Sequence, residues 1–221
     1  MMKQLHLKGR LSLCAEYVRE GSRLADIGTD HGYLPIALCS CGKCPSAIAC
    51  DINPLPLNSA RENIARHALT DRITARLGDG LGPVAADEAD DVVIAGMGGE
   101  LIAAILSSCP WAKDAQKCYI LQPMTRHEAL IRYLYANGYL IERQGAVLDS
   151  GKYYTVIRAV WDGKMRECDP VAAVIGRLTP DGEASVGFLN KCLRQLKKQS
   201  AGDPDLIPTI ERIEAMLNDH P

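Results

Sequence analysis

Short apolar runs alternating with amphipathic stretches fill the first two thirds of this chain, and that rhythm restricts it to few folds. Runs at Arg23–Gly28, Ser46–Asp51, Ile73–Leu77, Asp91–Ala95 and Lys117–Leu121 read as strands. Helical spacing follows in Leu34–Leu38, Leu55–Arg66, Gly99–Leu106 and His127–Tyr135, and a further helix, Leu11–Val18, precedes the first strand. Strands separated by helices predict an α/β fold, a parallel sheet covered on both faces. Two more strand-like runs, Tyr139–Val147 and Tyr153–Trp161, are joined by the turn-rich Leu-Asp-Ser-Gly-Lys at 148–152. A parallel sheet that finishes with a hairpin needs an antiparallel strand, expected here at the edge.

Beyond Trp161 the pattern changes. Asp162-Gly163-Lys164 marks a boundary, and Asp169-Pro170 can cap a new helix. Val186–Gln199 and Leu206–Leu217 carry apolar stripes separated by a break at 200–204, which predicts a helical hairpin. The expected division is residues 1–162 as one α/β domain with its N-terminal helix, and 163–221 as a helical domain. Either a helical cap on the core or an RNA-facing arm suits the second part.

Composition excludes several classes. With 47% hydrophobic and 24% charged residues the chain is an ordinary globular one. No apolar run reaches the ~18 residues of a membrane span, and the basic, interrupted N-terminus lacks the apolar core of a signal peptide, so a cytoplasmic location is expected. The nine cysteines are odd in number, which argues against a disulfide framework. Cys39, Cys41, Cys44 and Cys50 lack the paired knuckles of zinc sites; packing is the expected role, and no metal is required. Net charge is −2, yet residues 1–23 carry Lys3, Lys8, Arg10, Arg19 and Arg23 against Glu16 and Glu20. Such a segment suits phosphates or a solvated helix face.

The chemistry is written at the strand ends. Asp26-Ile-Gly28-Thr-Asp-His-Gly32 closes the first strand, where glycine lets a ligand approach the backbone. It lacks G-x-G-x-x-G, and its two acidic residues would repel a pyrophosphate while suiting a zwitterionic or cationic ligand. Asp51 ends the second strand, where a carboxylate can accept ribose hydroxyls. Asp79, in Gly78-Asp79-Gly80, can accept an adenine amino group, and Ala95-Gly96-Met97 offers bare backbone to a planar ligand. Three carboxylates at successive strand ends outline a nucleoside pocket without phosphate recognition; S-adenosylmethionine fits it better than NAD.

ADIGTDHGYLP, ACDINPLPLNSARENI, RLGDGL, VVIAGMGGELI, LQPMTRHEALIRYLYANGY and KYYTVIRA together resemble the bacterial tRNA (adenine-N1)-methyltransferases of the TrmK family, over residues 5–161. The resemblance implies a class I Rossmann-like methyltransferase: seven strands, mostly parallel with the last antiparallel, then a C-terminal helical domain. It implies S-adenosyl-L-methionine as cofactor and the adenosine at position 22 of tRNA as substrate. It assigns the cofactor to Asp26, Gly28, Thr29, Asp51, Ile52, Asp79, Gly80, Ala95, Gly96 and Met97. Asp30 becomes the candidate for stabilising charge on the adenine, with His31 and Tyr33 orienting or stacking on the base. Tyr33 as core and Asp30 as a cofactor ligand remain open alternatives. Lys8, Arg10, Gln122 and Arg126 are the expected tRNA contacts, and monomer and homodimer both stay open. A small-molecule or protein methyltransferase and an inactive RNA-binding relative are the competing functions.

Overall fold

The computed structural model describes residues 5–219, so Lys3 lies outside the described residues. Its chain order is α1 (Gly9–Tyr17), β1 (Leu24–Ile27), α2 (Tyr33–Ser40), β2 (Ala47–Asp51), α3 (Pro54–Arg66), β3 (Ile73–Leu77) and β4 (Asp91–Gly98). Then come α4 (Gly99–Ser108), β5 (Cys118–Thr125), α5 (His127–Ala136), β6 (Tyr139–Asp149) and β7 (Lys152–Trp161). Three helices follow: α6 (Pro170–Ile175), α7 (Glu183–Gln199) and α8 (Ile207–Asn218).

The strands form one seven-stranded sheet in the order β3-β2-β1-β4-β5-β7-β6. β1 pairs in parallel with both β2 and β4, and β5 with β4. Because β1 and β2 are buried throughout, they read as unbroken apolar runs ending in Asp26-Ile27 and Asp51. Their side chains still alternate between faces. Ala25 and Ile27 join the cluster under α4 and α5, while Leu24 joins the one that receives Tyr17, Ile36 and Ile64 from α1, α2 and α3.

Three expectations change. The antiparallel strand β7 is not the edge; it inserts between β5 and β6, pairing antiparallel with each and leaving β6 outside. The two-residue hairpin turn keeps β7 beside β6, and of the two it is β7 that meets β5. The turn is Ser150-Gly151, both at positive φ (50° and 75°), shorter than the five-residue linker the sequence suggests. β4 and β5 also run further than predicted. Their ladder resumes past an irregularity at Gly96, with Met97 opposite Pro123 and Gly98 opposite Thr125.

The basic N-terminal segment is mostly consumed by structure. Arg19 donates to buried Asp91 through Nε and the backbone N–H, at 2.6 and 2.7 Å, and Arg23 forms a two-point pair with Asp90 at 2.7 and 2.9 Å. Both pairs sit where β1 and β4 begin, so these arginines offer nothing to a ligand at the opposite strand ends. Cys39, Cys44 and Cys50 are buried and Cys41 is exposed. Among the described residues no three or more His, Cys, Asp or Glu side chains gather as metal ligands would. No described helix is long and apolar enough to cross a membrane.

The C-terminal helices build a third cluster around Phe188, Leu189, Cys192 and Ile213, closed by Ala146 and Tyr153 of the hairpin. Asp169 caps α6 as its sequence suggests, Oδ1 accepting from the Ala172 N–H at 2.8 Å.

α4 and α5 meet where Gly99, the first residue of α4, lies against the Arg126 carbonyl; a Cβ there would overlap that oxygen. Gly99→Ala is therefore expected to cost about 1–3 kcal/mol through forced backbone movement. A lower urea midpoint with an unchanged slope is the expected reading.

Candidate active site

Strand order reverses between β1 and β4, so the connections leaving them run to opposite faces of the sheet. A crevice opens at their carboxyl ends, the place where ligands bind in such sheets. Two adjoining cavities occupy it, sharing Gly28, Asp51, Asn53, Ala95 and Gly96 as walls.

The first cavity is acidic. Asp26 at the end of β1 is only 7% exposed and makes no salt bridge among the described residues. Burial pushes its carboxyl up to about 6, and the nearby Asp51 adds to it. Asp51 is also buried, one oxygen accepting from the Asn53 N–H at 2.7 Å. Gly28 turns the chain at φ 78°, and its N–H and that of Thr29 both donate to the Cys50 carbonyl at 2.8 Å. A Cβ at Gly28 would meet only Met97 Cε, the movable end of a side chain, so it is the torsion that calls for glycine. Thr29 Oγ1 is buried without a hydrogen-bond partner at this wall.

The second cavity is more apolar. Ile52, Met97, Leu101 and Ile105 line it with Asp79 and Gly80, and Ile52 and Leu101 remain exposed despite their apolar side chains. Its shape depends on Gln122. That residue is fully buried, its Oε1 accepting from the Gly96 N–H at 3.1 Å and its Nε2 donating to the Pro123 carbonyl at 2.9 Å. Gly96, at φ 79°, is thereby held in the irregularity that carries Met97 over Gly28.

At the mouth stand Asp30, His31 and Tyr33, all in the wall of the first cavity. His31 Nε2 lies 3.5 Å from Asp30 Oδ2, and the His31 and Tyr33 rings are 5.2 Å apart at 32°. Asn63 of α3 fixes the loop by donating to the His31 carbonyl at 3.0 Å. Tyr33 is 42% exposed, so it is no core residue.

The residues expected at a nucleoside pocket are thus brought together, and so is the mouth cluster. The expected tRNA contacts separate. Gln122 faces inward with both ends of its amide engaged, which corrects its assignment as a substrate ligand; it shapes β4. Lys8 is exposed, preceding α1, outside the described cavity walls. Arg126, at φ 53°, holds Glu100 at 2.9 Å and Glu128 at 3.2 Å, so two carboxylates already attend its charge. Arg10 lines the first cavity itself. Sequence reasoning missed Leu11, Asn53, Pro56, Leu101 and Ile105 as walls; Asn53 and Pro56, just beyond Asp51, carried the only local hint. A smaller cavity between α5, α6 and α7 is lined by His127 and Cys192, whose thiol burial pushes up to about 12, so it holds no reactive nucleophile.

The arrangement can take a nucleoside carrying a zwitterionic tail, with a second planar group admitted at the mouth. Comparison with known proteins agrees. Residues 7–157 match a family model described as a methyltransferase domain. The chain is 34% identical, over 89% of its length and 84% of the relative's, to a tRNA (adenine(22)-N(1))-methyltransferase of Bacillus subtilis. Among solved structures, it is similar to a Streptococcus pneumoniae protein in complex with S-adenosyl-L-methionine, at TM-score 0.84 and 31% identity, covering 94% of this chain and 98% of that one. TrmK of M. capricolum, solved with S-adenosyl-homocysteine, aligns at TM-score 0.79 and 26% identity, covering 96% of this chain and 98% of that one.

The raised Asp26 carboxyl has a pH signature. Between its ordinary value of 3.8 and about 6 the unfolded chain has released a proton that the folded chain keeps, so stability falls as pH rises through that window and levels off above it. Asp26→Asn removes this loss. The unliganded variant is expected to be more stable than the wild type at neutral pH, by on the order of 3 kcal/mol at most, with the gap closing toward about pH 4. Thermal unfolding of both proteins across that range reads the difference, and the variant's affinity for a cationic nucleoside ligand should fall.

Proposed function

The chain belongs to the TrmK family of tRNA (adenine-N1)-methyltransferases, and on that premise we propose how its residues divide the work. It is an S-adenosyl-L-methionine-dependent enzyme that methylates N1 of an adenosine, position 22, in tRNA. The observation that carries the assignment of residues is the shared cleft: three strand-end carboxylates and two glycine turns meet there, with an exposed Asp-His-Tyr cluster at the mouth.

The cleft fits the cofactor on its own chemistry. Asp26 is a buried carboxylate with no cation against it, Thr29 Oγ1 is a buried hydroxyl without a partner, and Ile52 and Leu101 present apolar surface beside Asp79. In this reading Asp26, Gly28 and Thr29 hold the amino-acid end and Asp51 the ribose. Ile52, Asp79, Gly80, Ala95, Gly96 and Met97 enclose the adenine. When bound, S-adenosyl-L-methionine supplies a methyl group already activated on a sulfonium.

The chain therefore needs no covalent chemistry of its own; its task is to place N1 in line at contact distance. A nucleotide inside folded tRNA must first leave its stack. The tilted pair His31 and Tyr33 offers the flipped base a new surface, and Asp30 accepts from its exocyclic amine. That carboxylate then stabilises the positive charge that grows on the ring during transfer. Lys8 and Arg126 lie outside the cleft and are the candidates for tRNA phosphates, Arg126 by exchanging Glu100 or Glu128 for them. Residues 1–162 form the catalytic domain and 163–221 a helical one, and the enzyme works in the cytoplasm.

Methyl-labelled cofactor and unmodified bacterial tRNA test the reading directly. Label is expected in the intact tRNA and not in a transcript with adenosine 22 replaced; label in both would overturn the position. Asp30→Asn should lower kcat by about 10²-fold, the scale of one lost charge-stabilising group, with cofactor affinity unchanged. Affinity for tRNA should fall steeply with added salt.

A further inference from the structure

Arg10 stands in the first turn of α1 and lines the acidic cavity. Its backbone N–H and Nη1 donate to Asp149 Oδ2 at 3.3 and 3.2 Å. Its Nε is different: that donor has almost no accessible surface and no hydrogen-bond partner among the described residues. Buried donors are nearly always paired, so an orphan at a cavity wall is a receptor for an acceptor that enters the cavity.

The other groups in that wall say which acceptor. Asp26, Asp30 and Asp51 are all acidic, and Arg10 is the only lysine or arginine in the described wall. An α-amino acid tail carries an ammonium and a carboxylate. The acidic wall serves the ammonium and repels the carboxylate, unless a cation stands between them. Arginine suits that place because its planar fork matches a carboxylate's two oxygens. Its aim is set from behind. Asp149 closes β6 at the hairpin tip and also packs so tightly on Gly9, at φ 53°, that a Cβ there would overlap the carboxyl group. The Tyr154 ring, 5.9 Å from the guanidinium carbon, borders the same side.

We propose that Arg10 receives the α-carboxylate of the cofactor's methionine tail, aimed by Asp149 at the tip of the β6–β7 hairpin, and is not a contact to tRNA phosphate. The proposal rests on the methyltransferase reading and deepens it. A phosphate contact belongs on the open rim, whereas the Arg10 side chain is 32% exposed and already shares Asp149. The hairpin that the fold inserts beside β5 thus acquires a task at the cofactor site, through one ion pair.

Titration calorimetry on the full chain separates the alternatives with two probes. S-adenosylhomocysteine carries the carboxylate; S-adenosyl-3-thiopropylamine is the same molecule without it. Arg10→Gln is expected to weaken S-adenosylhomocysteine by about tenfold or more and the amine by less than about twofold. Retained amine binding also reports that the variant is folded. Arg10→Lys, which keeps the charge and loses the fork, should fall between wild type and Arg10→Gln. Binding of tRNA should stay within about twofold at low salt. The proposal is overturned if either variant weakens both probes alike or neither, or if tRNA affinity falls with a shallower salt slope while S-adenosylhomocysteine binding holds. A wild-type chain that binds neither probe would remove the methyltransferase reading as well.

Discussion

The reversal of strand order at β1 and β4 is the constraint on which the rest of this molecule depends. Parallel strands need crossover helices, and the helices leaving these two neighbours go to opposite faces. Nothing in the layer rule covers the gap between them. The carboxyl ends of β1 and β4 are therefore the one place in the sheet where a ligand can reach buried backbone without opening the core. Asp26, Gly28, Ala95 and Gly96 stand at that gap. Under the proposed function a cationic ligand is the partner of the buried carboxylate there, and the fold carries the cost of Asp26 when alone.

Around the gap the structure spends its unusual backbone. Gly28 and Gly96 have positive φ, and the end of the Met97 side chain rests on Gly28. Gln122 locks this approach by pairing with the Gly96 N–H from the neighbouring strand. The cleft is thus held by a strand irregularity and one buried amide, both on rigid elements. The proposed recognition residues stand at the mouth instead, Asp30 and His31 on the loop before α2 and Tyr33 opening that helix.

The hairpin extends the same logic to the far side. Inserting β7 between β5 and β6 brings the Asp149 tip to the start of α1 and presents Tyr153 to the C-terminal helices. One element consequently touches the N-terminal helix, the cleft wall through Arg10, and the helical domain. Arg19 and Arg23, although close to Arg10 in sequence, tie α1 and β1 to Asp90 and Asp91 at the opposite strand ends. Positive charge in the first turns of the chain therefore serves two purposes at two poles.

Much of this was legible in the residues themselves, because it is local. Apolar runs of strand length closed by Asp26 and Asp51 announce both a parallel sheet and a polar row at its carboxyl ends, since burial disfavours such residues elsewhere along those strands. Gly28 and Gly96 announce positive φ in the same way. What the tertiary structure decided is everything set by pairing at long range. The place of β7 inside the sheet depends on which of two hairpin strands meets β5. Whether Gln122 faces tRNA or the core depends on which way β5 alternates against an irregular β4. Arg10, Arg19 and Arg23 look alike in sequence, and their roles diverge because their partners, Asp149, Asp91 and Asp90, are 67–139 residues away. A side chain's type is written locally; the charge it will face is fixed only when the chain closes on itself.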